Sequence, residues 1–377
     1  MSGMNAEEIL ETLVGFPSVV GSANGEIVGW IADYLERAGA SVHILAGPEG
    51  DRSNLFATIG PADRPGYLLS GHMDVVAANE PGWDSDPFRL RREGPKLVGR
   101  GTSDMKGFLA CVLAVLPTIA RRPLARPLHL AFSYDEEAGC RGVPHLIARI
   151  PDLCATPAGC IIGEPSELRA IRAHKGKAAA RIELGGRAGH SSRPDLGLNA
   201  IHAMADILAH AVAAAERLTA GPFDANFEPP YSSLQVGTIQ GGQAVNVIPE
   251  RCAIEVEARA IAGVDPRSLL ADIEGRLDVL RDKGLSTHWE MTGSYPALSL
   301  AANAPLALLM EELTGKTPLA AVSYGTEAGL YQAAGMEAII CGPGDIGRAH
   351  KANEFILADE LSACVAMIEA LGARLAR

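Results

Sequence analysis

Four short apolar runs, each leading into residues that can bind metal or move protons, constrain this chain more than any other feature. Residues 67–70, 128–133, 160–162 and 337–341 are continuous in apolar character and bounded by turn residues, the pattern of strands buried on both faces. Helical periodicity fills the gaps. Ile9, Leu10, Leu13 and Val14 suggest a short helix; Ile27, Trp30, Ile31, Tyr34, Leu35 and Ala38 mark a longer one that stops at Gly39; residues 108–120 read as a third. Strands alternating with helices predict an α/β fold with a mostly parallel sheet flanked by helices.

The middle of the chain follows a different rhythm. A strand is expected over 178–184, a helix over 199–218 (Ile201, Met204, Leu208, Ala211, Val212 and Ala215), and one or more strands within 233–247. Cys252, Ile254, Val256 and Ala258 then alternate at period two, as in a half-buried strand. A helix over 266–282 with Leu269, Leu270, Ile273, Leu277 and Leu280 on one face and a strand over 286–291 complete a β-α-β-β-α-β order, that of a ferredoxin-like α+β unit. The expected organisation is a catalytic domain at 1–177 and 292–377 with an inserted domain at 178–291.

A chain of 377 residues has ample length for such an arrangement. Its net charge of −12, from 33 basic and 45 acidic residues, opposes binding to nucleic acid or anionic lipid. No apolar stretch approaches the roughly 18–20 residues needed to span a bilayer. Residues 1–15 hold Glu7, Glu8 and Glu11 and no basic residue, unlike a secretory or mitochondrial presequence. Seven cysteines without a C-x-x-C pair fit reduced thiols. The expectation is a soluble cytoplasmic protein.

In an open α/β sheet, ligands bind beyond the carboxyl ends of the strands. The first run ends Ser70-Gly-His72-Met-Asp74, the second Asp135-Glu136-Glu137, the third Gly163-Glu164-Pro165, and the fourth leads to His350; Arg100-Gly-Thr-Ser-Asp104 adds a carboxylate in a glycine-flanked loop. Taken singly, each has a plain explanation: a packed histidine, a solvated acidic turn, a helix cap. Their convergence does not. His72, Asp104, Glu137, Glu164 and His350 form a nitrogen-and-oxygen donor set suited to Zn²⁺ or a similar divalent ion. If Asp104 bridges two ions, each needs one more histidine and one more carboxylate, and Glu136 is left to act as general acid/base.

Gly342-Pro-Gly344-Asp-Ile-Gly347 literally fits the dinucleotide-binding fingerprint, but it lies near the end of the chain and does not open a βαβ unit. No G-x-S-x-G, H-E-x-x-H or P-loop sequence is present.

These segments, with Gly99-Arg-Gly-Thr-Ser-Asp104-Met-Lys-Gly and Ala349-His350-Lys-Ala-Asn-Glu354, resemble the M20 di-zinc metallopeptidase family of acetylornithine deacetylase, succinyl-diaminopimelate desuccinylase, aminoacylases and carboxypeptidase G-type enzymes. The resemblance implies that His72 and Glu164 hold one metal, Glu137 and His350 the other, and Asp104 bridges. It further implies that Asp74 orients His72, that His190 in Gly186-Arg-Ala-Gly-His190 stabilises an oxyanion from the inserted lid, and that Asn246 and Arg259 bind substrate. Two zinc ions are implied, with cobalt as the alternative, and a homodimer through the lid in which His190 serves its own or the neighbouring subunit. Within the family, Tyr324-Gly325-Thr326-Glu327-Ala328 and residues 341–350 look closest to acetylornithine deacetylase, with Gly325 and Thr326 meeting the substrate α-carboxylate. The implied reaction is hydrolysis of an N-acyl amino acid: first N2-acetyl-L-ornithine, giving ornithine and acetate in arginine biosynthesis; otherwise succinyl-diaminopimelate or another substrate of aminoacylases and carboxypeptidases.

Overall fold

The computed structural model describes residues 3–376. The chain divides into two compact units, one comprising residues 1–173, 298–321 and 326–377 and the other residues 174–297 and 322–325. The boundaries lie outside the expected 178 and 291 because the strands that open and close the second unit are longer than their apolar cores. Gly176–Gly185 and Ser286–Tyr295 pair along nearly their whole length. The short return of residues 322–325 to this unit has no signal in the periodicity.

The larger unit is built on a six-stranded sheet in the order Ser41–Ala46, Ser53–Ile59, Leu128–Ser133, Tyr67–His72, Gly159–Pro165, Ala338–Gly342. The last four run parallel, and the first two are antiparallel additions at one edge. The four parallel strands are the four apolar runs of the sequence, so their carboxyl ends emerge on one side. Helix Lys106–Ala120 is apolar around most of its surface and correspondingly buried, with Phe108, Leu109, Val112 and Leu116 inaccessible in the core. Gly163 allows this packing: a Cβ there would lie 2.0 Å from the Phe108 ring. Any larger residue would push the helix off the strand that carries Glu164.

The smaller unit is a four-stranded antiparallel sheet in the order Ser233–Gly241, Arg251–Ala260, Gly176–Gly185, Ser286–Tyr295, which a split β-α-β-β-α-β chain produces when its first and third strands pair at the centre. Helices Ala200–Leu218 and Ala271–Asp282 share its core through Met204, Ile207, Ile273 and Leu277. Asn199 caps the first helix by accepting from the His202 amide at 3.0 Å. The expected single helix over 266–282 begins as a 3₁₀ turn, Pro266–Leu270, started by Asp265 and Pro266.

Candidate metal centre

The larger unit brings His72, Asp104, Glu136, Glu137, Glu164 and His350 together beyond the carboxyl ends of its parallel strands. His72 terminates its strand and is 1% exposed. Its Nδ1 lies 2.8 Å from the main-chain carbonyl of Asp74, a group that can only accept, so Nδ1 carries a proton and Nε2 is the ring nitrogen that faces the site. Nε2 is 3.0 Å from Oδ1 of Asp104 and 3.9 Å from Glu164 Oε1. On the other side, His350 Nε2 stands 3.4 Å from Oδ2 of Asp104 and 2.9 Å from Glu137 Oε1. Each oxygen of Asp104 therefore addresses one histidine, and each histidine has one further carboxylate beside it.

Ligand atoms of His72, Glu136 and Glu164 lie within 4.8 Å of one another, as do those of His72, Asp104 and Glu137. Glu136 is thus inside the cluster too. Its carboxylate accepts from the Cys140 thiol at 3.4 Å.

Asp74 acts through two different groups. Its carbonyl orients His72, whereas its carboxylate, 3.6 Å from the ring, takes the backbone amides of Glu136 at 3.1 Å and Glu137 at 3.2 Å. Next along, Asp135 adopts φ +50° and is anchored by the Gly21 amide at 2.8 Å and by Arg52. The acidic triplet is a pinned turn, not a solvated one.

The electrostatics show a site short of positive charge. Burial would lower the pKa of His72, but its hydrogen bond to Asp104 and the charges of Asp74, Glu164 and Asp104 outweigh it and hold the imidazole well above its ordinary value. His350 is pushed up to about 10 by hydrogen bonds to Asp104 and Glu137. Burial lifts Glu136 to about 8; His72 pulls against this, while Glu137, Glu327 and Asp104 add to it. Burial also raises Glu164 well above the carboxylate range, reinforced by the charges of Asp104 and Glu136. Carboxylates crowded so closely make both histidines hold protons. Two divalent cations would supply that missing charge, and a donor set of imidazole nitrogens and carboxylate oxygens fits them.

The remaining expected residues belong to the smaller unit, apart from Thr326. His190 pairs with Val247 in a two-stranded ladder, and the Ser191 amide donates to the Asn246 carbonyl at 3.0 Å, so His190 and Asn246 are neighbours. The Ser192 amide donates to His190 Nδ1 at 3.2 Å, which leaves Nε2 as the ring's N–H donor. Arg259 bonds Glu257 at 2.6 Å and the Tyr295 hydroxyl at 3.3 Å. Gly325 presses on the same tyrosine: a Cβ there would lie 2.4 Å from its ring and 2.9 Å from the Lys175 carbonyl. Thr326 is buried and its Oγ1 accepts from the Ala328 amide at 3.1 Å, at the start of the helix that follows.

Among the buried charged residues of the larger unit, sequence reasoning gave no role to Glu327, Arg100 and Glu354. Glu327, 1% exposed, accepts hydrogen bonds from Ser70 and from Ser133, the latter at 2.8 Å, and so ties together the strands that lead to His72 and to Glu136. Arg100 and Glu354 form a buried pair at 2.8 Å beside the Asp104 loop. A strongly apolar context around a lone charge was the available signal for Glu327.

Paired histidines, a shared carboxylate and a neighbouring protonatable glutamate, set at the carboxyl end of a parallel sheet, define a metal-dependent hydrolase site. Residues 68–374 match the model of peptidase family M20/M25/M40, and the chain belongs to that family. It is a metal-dependent amidohydrolase. Among its relatives, acetylornithine deacetylase of Photorhabdus laumondii is 32% identical over 358 residues, covering 93% of this chain and 91% of that one. Acetylornithine deacetylase of Proteus mirabilis is 32% identical over 363 residues with the same coverage. In fold, the chain is similar to the M20 family metallo-carboxypeptidase Sso-CP2 of Sulfolobus solfataricus, with a TM-score of 0.79 at 17% identity over 99% of this chain and 100% of that one. No helix among the described residues is long and apolar enough to cross a membrane.

Proposed function

We propose that the protein hydrolyses the amide bond of N-acyl amino acids, with N2-acetyl-L-ornithine as its substrate, releasing ornithine and acetate within arginine biosynthesis in the cytoplasm. The observation that carries the hydrolytic part is the placement of Asp104, one oxygen toward His72 and the other toward His350. The choice of substrate is supported by the two acetylornithine deacetylases among the relatives.

His72 and Glu164 would hold one divalent ion, His350 and Glu137 a second, with Asp104 between them; zinc is the proposed metal and cobalt the substitute. Bound there, the pair would polarise the scissile carbonyl and lower the pKa of the attacking water. Glu136 takes the proton from that water and delivers it to the leaving nitrogen. Asp74 keeps Glu136 and Glu137 in place through their amides. We assign His190 Nε2–H to the oxyanion, and Asn246, Arg259, Gly325 and Thr326 to the substrate's polar groups, Arg259 offering the cation for a carboxylate.

The smaller unit exposes Val245, Ile239 and Ile201, apolar surface that pairing with a second copy would cover. Light scattering of the purified chain tests the homodimer.

The deciding experiment assays the zinc-loaded chain against acetylornithine, succinyl-diaminopimelate and a panel of acetylated amino acids. Acetylornithine should give the highest kcat/KM. A higher value for the succinylated substrate would move the protein to the desuccinylase reading, and no amide hydrolysis in a metal-replete sample would end the proposal.

A further inference from the structure

Glu354 grips the loop that carries Asp104 at both of its ends. Its carbonyl accepts from the Gly99 amide at 2.9 Å, and its Oε1 accepts from the amides of Ser103 at 2.9 Å and Asp104 at 3.1 Å. The other oxygen is paired with Arg100 Nη1 at 2.8 Å, and both residues are 1% exposed.

Arg100 extends the grip to the two neighbouring loops. It bonds Glu80 and the carbonyl of Ala77, 3.3 Å away, in the segment that follows His72, and packs 5.2 Å from the centroid of the Trp83 ring. It also reaches the Lys351 carbonyl, next to His350, at 3.4 Å. Asn353 closes the circuit through the Gly82 carbonyl at 2.8 Å and the Asp84 amide at 3.1 Å. One buried pair thereby joins the loops adjoining His72, Asp104 and His350.

Stability alone is a poor reason for such a pair. Desolvating both charges costs several kcal/mol, and apolar replacements of buried ion pairs are often neutral or stabilising. What an apolar pair would lack is the directional hold on two consecutive amides, one of them Asp104's own. We infer that Glu354, fixed by Arg100, is the positioning residue that aims the Asp104 carboxylate so that its two oxygens face the two histidines. The inference rests on the metal-site reading above. Such outer partners commonly change metal affinity or activity by about 10–100-fold.

The test loads the full-length parent, Glu354→Gln and Arg100→Lys with Zn²⁺, titrates each with a chelator while counting zinc per chain, and melts each with and without metal. Glutamine keeps an acceptor oxygen but loses the charge; lysine keeps a charge but loses the fork. Both variants should release zinc at a chelator concentration about 10–100-fold below the parent's, and zinc should raise their melting temperature less than it raises the parent's. A parent that holds two zinc ions, with variants that release them at the parental midpoint, overturns the inference even if both variants melt earlier, because a purely structural role lowers the loaded and metal-free forms alike. If Glu354→Gln does not fold, Arg100→Lys carries the same comparison. A parent that binds no zinc overturns the metal-site reading before any variant is measured, and this inference with it.

Discussion

Asp74 holds Glu136 by its backbone: one carboxylate oxygen accepts the Glu136 amide at 3.1 Å while the other accepts that of Glu137. The proposed proton-transferring residue and its neighbour, a proposed ligand, are thus mounted on a single buried carboxylate. In Asp74→Asn the side-chain NH₂ must face one of the two N–H groups, so the turn has to shift. Steady-state kinetics should show kcat reduced about 10–100-fold with a smaller change in KM. Parental kcat in this variant would count against the arrangement.

Adjacent glutamates should separate cleanly. Glu136→Gln should keep both metals and lose about 10²–10⁴-fold in kcat, whereas Glu137→Gln should lose metal on dialysis against a chelator. Elemental analysis of both variants checks this, and equal metal loss in the two would exchange their roles.

Metal ligation requires neutral imidazoles, so activity of the zinc-loaded enzyme should fall as pH drops below about 6. Stripping the metal should abolish turnover, and adding zinc back should restore it. A rate unchanged down to pH 5 would contradict ligation by His72 and His350.

His129 provides a stability test away from the site. It lies in the middle of the sheet with Nδ1 2.9 Å from Thr58 Oγ1 and Nε2 buried without a partner, and burial pushes its pKa down to about 4. A depressed histidine leaves stability intact above the unfolded value near 6.5 and lowers it as pH falls from there to about 4, by about 3 kcal/mol in full. His129→Gln removes that titration. The stability difference between parent and variant, in which the histidines at the metal site cancel, should therefore shift against the parent between pH 7 and pH 5, as read by chemical denaturation of the metal-free forms.

Gly163→Ala should destabilise the larger unit by about 1–3 kcal/mol, because the new methyl meets the Phe108 ring at 2.0 Å. Thermal melting reads the loss, and an unchanged midpoint would mean the helix yields without cost.

The parallel strands were legible because burial on both faces makes them continuous apolar runs, and the side chains that follow them are of few chemical types. Ser41–Ala46 is an edge strand whose residues are mostly exposed, and His43 interrupts its apolar residues, so it does not read as a continuous buried run. The proposed metal donors, which the fold brings together, could be named from the sequence because ligation restricts residue type. The grip of Asp74 on two amides could not, since a backbone N–H is the same at every position and only the fold selects which pair a carboxylate reaches. Arg100 and Glu354 were hidden for a related reason. Charged residues in a glycine-bearing loop read as surface until the partner more than two hundred positions away is seen beside them.

The second unit interrupts the first, with His72, Asp104, Glu137 and Glu164 preceding the interruption and His350 following it. During synthesis, four of the five proposed ligands leave the ribosome long before the fifth, and the sheet still lacks its Ala338–Gly342 strand. A product truncated just before residue 350 would carry four of the five proposed ligands and leave the second proposed ion without its histidine. Retention of both proposed ions is therefore expected only after residue 350 has been made and the chain has passed the second unit.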